Sequence, residues 1–329
     1  EITPKGLDYV FYSDSGSTSV EVAIKMALGF WRNRGEARTR IIALEHGYHG
    51  DTVGTMSAGA RSAFNASYEP LLFDVARVPF PHQGREQQSL DALEAACKAG
   101  AAAFLVEPLI LGAGGMLIYS AQTLGRMREI CAQYGVLFIA DEVMTGFGRT
   151  GTLFACEQAG VVPDIACYSK GITGGALPLA ATMCKAEIFD AHYSQDRARA
   201  FFHSSSYTAN PIACAAALAN LDIWEKGDAR ESVTRLCGLQ EERIARFRTD
   251  GRFDNVRRLG TITALDLRAQ QGGYLASIGL DLLGFFNERG LLLRPLGRTI
   301  YVLPPYCITG EELDLAYATI DEAAARFSN

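Results

Sequence analysis

Five short runs, YVFY (9–12), RIIAL (40–44), AAAFLV (101–106), VLFIA (136–140) and DIACYS (164–169), are apolar at successive positions instead of alternating. A strand apolar on both sides has to be covered on both sides, which a mainly parallel sheet between helices achieves. The covering helices lie in between. After YVFY, for instance, Val20, Ile24, Ala27 and Trp31 recur at helical spacing and form one apolar face. Near Gly227 the rhythm changes. ARESVTRLCGLQEERIARF reads as a charged helix, NVRRLGTITALDL and TIYVL as alternating strands, and two further helices follow. The expectation is an α/β fold, with a large domain over residues 1–226 and a smaller α+β domain over 227–329.

A length of 329 residues suits two such domains. The net charge is −6, with Lys and Arg dispersed, which argues against a nucleic-acid surface. No apolar stretch approaches a membrane span, and EITPKGLDYV has no signal-peptide pattern. Those first residues read as the tail of a helix or loop entering a strand, as though the chain begins within a longer protein. The closest of the eight cysteines are Cys156 and Cys167, so there is no CxxC and no zinc or thioredoxin-like motif. Most lie in apolar runs and read as buried thiols of a cytosolic protein. His46 and His49 in HGYHGD have no HExxH beside them and are not read as a metal site.

Two strand ends carry the chemistry. VLFIA runs directly into ADEVMTGFGRTG, which places Asp141 and Glu142 at the carboxyl edge of a buried strand. That edge opens on the crevice where α/β sheets bind ligands. DIACYS runs into SKGITGG, which places Lys170 where a strand gives way to a glycine-rich turn. Alone, Lys170 would extend to solvent and Asp141 would serve as a cap or an ion-pair partner. Together they match the needs of pyridoxal phosphate: a lysine to bind its aldehyde and a carboxylate to keep its ring nitrogen protonated. A phosphate site is offered by DSGSTSVEVAIKMA, where Ser15-Gly16-Ser17 open a helix and Thr18 and Glu21 are spaced as a capping box. An SGS helix start can equally be a plain cap. Tyr48 in HGYHGD is the candidate aromatic to pack on the ring.

DSGSTSVEVAIKMA, HGYHGDT, EPLILGAGG, ADEVMTGFGRTG and SKGITGG, in this order and spacing, resemble the fold-type I, class III aminotransferases over essentially the whole chain. The resemblance implies pyridoxal 5'-phosphate as cofactor, with Lys170 as its covalent anchor and Asp141 as the partner of its ring nitrogen. It makes Gly16 and Ser17 the phosphate-binding pair and Tyr48 the ring-packing residue. It also implies a cytoplasmic homodimer with active sites at the subunit interface, acting on a small amino donor and a keto acceptor. In HSSSYTANP, Ser205 and Ser206 would reach the neighbouring subunit's phosphate, and Ser204 would lie at the substrate pocket. Family members commonly have Gly, Pro or Thr at these three places; Ser206 keeps a hydroxyl. Arg294 in RPLGRTIYVLPPY matches an arginine that grips a substrate carboxylate, with Ile300-Tyr301-Val302 as an apolar wall. Arg149 matches a family arginine that either contacts substrate or braces its loop. Ala113 stands where many relatives have a glutamate. The family's chains also have a segment before YVFY that supplies aromatics to the pocket.

A Rossmann-like nucleotide-binding protein is the rival of another class. The chain has neither GxGxxG after its first strand nor GxxxxGK[ST], and a non-catalytic scaffold would have no use for both Lys170 and Asp141.

Overall fold

The computed structural model describes residues 2–269 and 277–328. The chain divides into two compact units: Glu1–Phe147 with Phe154–Glu225, and Gly148–Leu153 with Lys226–Asn329. In the first unit the strands are β1 (Tyr9–Ser13), β2 (Ile41–Leu44), β3 (Ala76–Val78), β4 (Ala103–Val106), the short β5 (Ile110–Leu111) and β6 (Leu117–Ile118), β7 (Leu137–Asp141), β8 (Ile165–Tyr168) and β9 (Ala180–Cys184). Its helices are α1 (Gly16–Asn33), α2 (Val53–Ala58), α3 (Glu86–Lys98), α4 (Ala121–Gln133), α5 (Ala186–His192) and α6 (Pro211–Lys226).

Among the described residues, seven strands form one sheet in the order β1-β9-β8-β7-β4-β2-β3. From β8 to β3 every pairing is parallel. The α/β fold read from the sequence is therefore the fold observed. One strand differs: β9 lies antiparallel to both β1 and β8. Its sequence, AATMC, has little strand propensity, and the two ladders that flank it decide its conformation.

Helix α1 lies over the sheet with Val20, Ala23, Ile24, Ala27 and Trp31 packed against Leu105, Leu137, Ile139 and Ile165. Its cap differs from the sequence reading. Ser15 is the N-cap and closes its box with Thr18: the Thr18 N–H donates to Ser15 Oγ at 3.2 Å, and the Ser15 N–H to Thr18 Oγ1 at 2.9 Å. Glu21 is drawn away to accept the Thr52 hydroxyl at 2.6 Å, so the helix start is coupled to the chain after HGYHGD.

The second unit contains α7 (Asp228–Ile244), β10 (Phe253–Leu259), β11 (Ile262–Leu267), α8 (Ile278–Asn287), β12 (Thr299–Val302) and α9 (Gly310–Phe327). Strands β10, β11 and β12 make an antiparallel sheet. Its core holds Leu236, Phe247, Leu265, Phe286 and Tyr317, and also Ile300 and Val302. Those last two residues therefore serve the core of this unit and do not line a pocket wall, because β12 turns them to its packed face. No described helix is long and apolar enough to cross a membrane.

Candidate active site

Strand register places the chemistry. Val106 is opposite Ala140 in the β4–β7 pair, and Asp141 is opposite Cys167 in the β7–β8 pair. Glu107, Asp141 and the turn carrying Lys170 thus leave the carboxyl edge of three adjacent parallel strands, where such sheets bind ligands. There a cavity of about 210 Å³ is lined by Gly16, Ser17, Tyr48, Asp141 and Lys170. His49, Glu107 and Ala113 line it as well.

Asp141 is only 4% exposed. His49, equally buried, donates Nδ1–H to Asp141 Oδ2 at 2.8 Å, and the Val143 N–H donates to Oδ1 at 3.2 Å. The adjoining acid does different work. Glu142 accepts the Thr145 hydroxyl and the N–H groups of Ala155 at 3.1 Å and Cys156 at 2.9 Å, closing the loop that follows β7. Burial pushes its carboxyl up, against the pull of these donors. Glu142→Ala would leave three donors without their acceptor. The expected loss is about 3 kcal/mol of stability, read as a lower midpoint in thermal unfolding of the variant against wild type.

Lys170 has φ +44°, a left-handed conformation that costs an L residue on the order of 1 kcal/mol. The turn around it is pinned. Ser169 Oγ donates to the Leu179 carbonyl at 2.9 Å, the Gly175 N–H to the Lys170 carbonyl at 3.1 Å, and Asn220 Nδ2 to the Gly171 carbonyl at 2.8 Å. Strain maintained by such surroundings is a mark of functional positions.

At the other end of the cavity Gly16 and Ser17 open α1. Their N–H groups have no intrahelical acceptor and carry the positive end of the helix dipole. A Cβ on Gly16 would press on the side chain of Val143, and one on Gly50, at φ +127°, would overlap Ser17. Both glycines let the chain close in around this opening. Tyr48 is half-buried; burial, and then its bond to Asp51, push its phenol up to about 12, so its ring stays neutral.

The remaining expected residues lie elsewhere. Ser205 Oγ donates to Asp14 Oδ2 at 2.7 Å, and Lys25 Nζ donates to His203 Nδ1 at 3.0 Å, tying HSSSYTANP back to the region of α1. Ser204 and Ser206 are exposed, and none of the three serines is in the cavity lining. Arg149 belongs to the second unit. Its Nη1 donates to the Pro304 carbonyl at 2.6 Å, and its guanidinium lies 4.6 Å from the centre of the Tyr306 ring. Burial lowers its pKa, and the geometry is that of a brace for its loop. Arg294, in the same unit, is exposed on the irregular stretch before β12.

Two cavity residues escape the sequence reading. His49 shows no signal in HGYHGD beyond a metal-ligand spacing that lacks its HExxH. Glu107 follows AAAFLV as Asp141 follows VLFIA, so the same strand-end signal marks it. Both of its oxygens accept: Oε1 from the Tyr48 N–H and Oε2 from the Gly112 N–H, each at 2.9 Å. Burial pushes its carboxyl up to about 7; His49 pulls it down and the charge of Asp141 raises it further.

A lysine and a buried carboxylate on adjacent strand ends, facing an open helix N-terminus across one cavity, define the site of a pyridoxal-phosphate enzyme. The chain belongs to the class-III aminotransferases, whose family model matches residues 1–324. It is similar to the adenosylmethionine-8-amino-7-oxononanoate aminotransferase of Synechococcus elongatus, with 46% identity over 97% of this chain and 77% of that protein. Among solved structures it resembles the enzyme of the same name from Methanocaldococcus jannaschii. There the TM-score is 0.93 and the identity 33%, covering 99% of this chain and 77% of that one. An amine transaminase from an uncultivated Pseudomonas species, solved in its PLP-bound form, superposes with a TM-score of 0.89 at 33% identity, covering 97% of this chain and 77% of that one. Pyridoxal 5'-phosphate is the cofactor of this class, and the residues present fit it: open N–H groups for a phosphate, a buried anion for a ring N–H, and an amine for an aldehyde.

Proposed function

We propose that this chain moves an amino group from S-adenosylmethionine to 8-amino-7-oxononanoate, giving 7,8-diaminononanoate for biotin synthesis in the cytoplasm. The likeness to the Synechococcus enzyme of that name, over 97% of this chain, carries the reading. Ala113 in the cavity lining supports it, because a glutamate there, common in other members, would add an acid that this chain lacks.

When bound, pyridoxal phosphate supplies a cationic ring that takes up the electron pair left as the donor's amino-bearing carbon loses its proton. The chain's own residues do the rest. Asp141 accepts the ring N–H and keeps that nitrogen protonated, and His49 fixes the orientation of the carboxylate. The first-turn N–H groups of Gly16 and Ser17 hold the phosphate, and Tyr48 packs on the ring. Lys170 Nζ would hold the aldehyde carbon. Its free amine would be the base at the donor's amino-bearing carbon and, in the second half-reaction, would return a proton to the acceptor's carbon. Two chains act together in this reading. Ser206, with Ser205, reaches the neighbouring subunit's phosphate, and Ser204 lies at the pocket rim. Arg294 forks onto the remote carboxylate of the acceptor. Arg149 braces its loop and does not touch substrate.

The test is a donor and acceptor screen of wild type beside two variants of Arg294. Arg294→Ala should lower kcat/KM for 8-amino-7-oxononanoate about a hundredfold with cofactor binding unchanged, and Arg294→Lys should restore it only in part. Brisk transfer from ω-amino acids to pyruvate, with 8-amino-7-oxononanoate ignored, would replace this substrate assignment with that of an ω-aminotransferase.

A further inference from the structure

Glu107 is a buried carboxyl with no part in the proton transfers above. It leaves β4 one residue beyond Val106, and Asp141 leaves β7 one residue beyond Ala140, so the two stand side by side at neighbouring strand ends. The charge of Asp141 acts on Glu107, and two neighbouring carboxylates repel in a buried setting. Such a pair is sustained only where cations or N–H donors meet it.

Both kinds of partner are present. Glu107 Oε1 accepts from Tyr48 N–H and Oε2 from Gly112 N–H, so one side chain ties the loop after β2 to the turn between β5 and β6. The Tyr119 hydroxyl donates to the Glu107 carbonyl at 2.8 Å and holds its backbone. With both oxygens receiving N–H groups, the geometry suits the ionised form, since a protonated oxygen would meet a donor with a donor. The titratable groups that act on it or that it acts on are His49 and Tyr48 from the loop after β2, Asp141 from β7 and Tyr119 beyond β6, and Lys170 from the turn after β8 lines the same cavity. Lys170, and His49 when protonated, are the cations of this set.

We propose that Glu107 is a positioning residue of this site: its carboxylate ties the Tyr48 loop and the Gly112–Ala113 turn to the end of β4, and its charge, beside that of Asp141, favours the cationic form of the cofactor joined to Lys170. The inference rests on the reading of this cavity as the cofactor site. It assigns two separable tasks to one side chain, reach and charge. Glu107→Gln removes the charge and presents an NH₂ to one of the two N–H groups. Glu107→Asp keeps the charge and is too short to meet both.

The experiment titrates the visible absorbance of the full chain loaded with pyridoxal phosphate and measures the equilibrium affinity for the cofactor at pH 8. A nearby anion stabilises a cation, so removing it lowers the pH at which the visible band changes. Glu107→Gln should shift that midpoint down by about one unit, while Glu107→Asp stays near wild type. Both variants should bind the cofactor about tenfold more weakly, as expected for a lost charged hydrogen bond. A Glu107→Gln protein with the wild-type midpoint would overturn the inference, as would equal midpoint shifts in the two variants. A wild-type chain that develops no visible band with the cofactor would overturn both the inference and the cavity reading beneath it. A band in wild type with an unaltered Glu107→Gln titration overturns the inference alone.

Discussion

Lys170→Ala is expected to lower transamination about 10⁴-fold or more, since it removes both the cofactor's covalent anchor and the base that moves the proton. The fold should survive. Lys170 is exposed at the mouth of the cavity, and its turn is held by Ser169, Gly175 and Asn220, none of which depends on the lysine side chain. The backbone adds a second expectation. At φ +44° alanine keeps the strain that lysine bears, whereas glycine relieves it. Lys170→Gly should therefore be as inactive as Lys170→Ala and more stable by about 1 kcal/mol. Single-turnover rates with the amino donor, loss of the visible band and thermal unfolding of the two variants together check this. Turnover near wild type in either variant would mean that another amine does the work.

The second large effect is at Asp141. An amide has nearly the shape of the carboxylate, so Asp141→Asn should still accept the His49 N–H and leave the phosphate end of the cavity undisturbed. It cannot hold a proton on a ring nitrogen. The first half-reaction should slow about 10³-fold or more, with the cofactor retained through dialysis. His49 separates orientation from charge, because His49→Ala keeps the carboxyl group of Asp141 and removes the 2.8 Å contact that orients it. Its loss should cost far less, on the order of tenfold. Equal losses at Asp141 and His49 would show that orientation, and not charge, is what the strand end contributes.

Both residues were legible in the sequence because they end apolar runs. Either charge alone at a strand end has an ordinary structural role, and Asp141 and Lys170 stand out because they end two strands that follow one another in the sequence. Glu107 carries the same mark after AAAFLV, yet nothing local says that β4 lies next to β7. The same holds for Thr18 and Glu21: their spacing is that of a capping box, yet Thr18 closes the box with Ser15, and Glu21 accepts from Thr52, far along the chain. For Arg149 the motif left two roles open, and only the contacts to Pro304 and Tyr306 favour the brace.

Hydrophobic periodicity, a property of each segment by itself, was enough to determine the α/β class and to mark the strand ends that line the cavity. The sequence by itself also placed Lys170 and Asp141, since both signals are confined to a few neighbouring residues. Tertiary structure alone decided that β9 runs against its neighbours, that His49 meets Asp141, that Glu107 shares their cavity, and that Ile300 and Val302 belong to a core. Those outcomes depend on which strands become neighbours and in what register. Strand order is chosen by the packing energy of the whole sheet, and no short window of residues contains it.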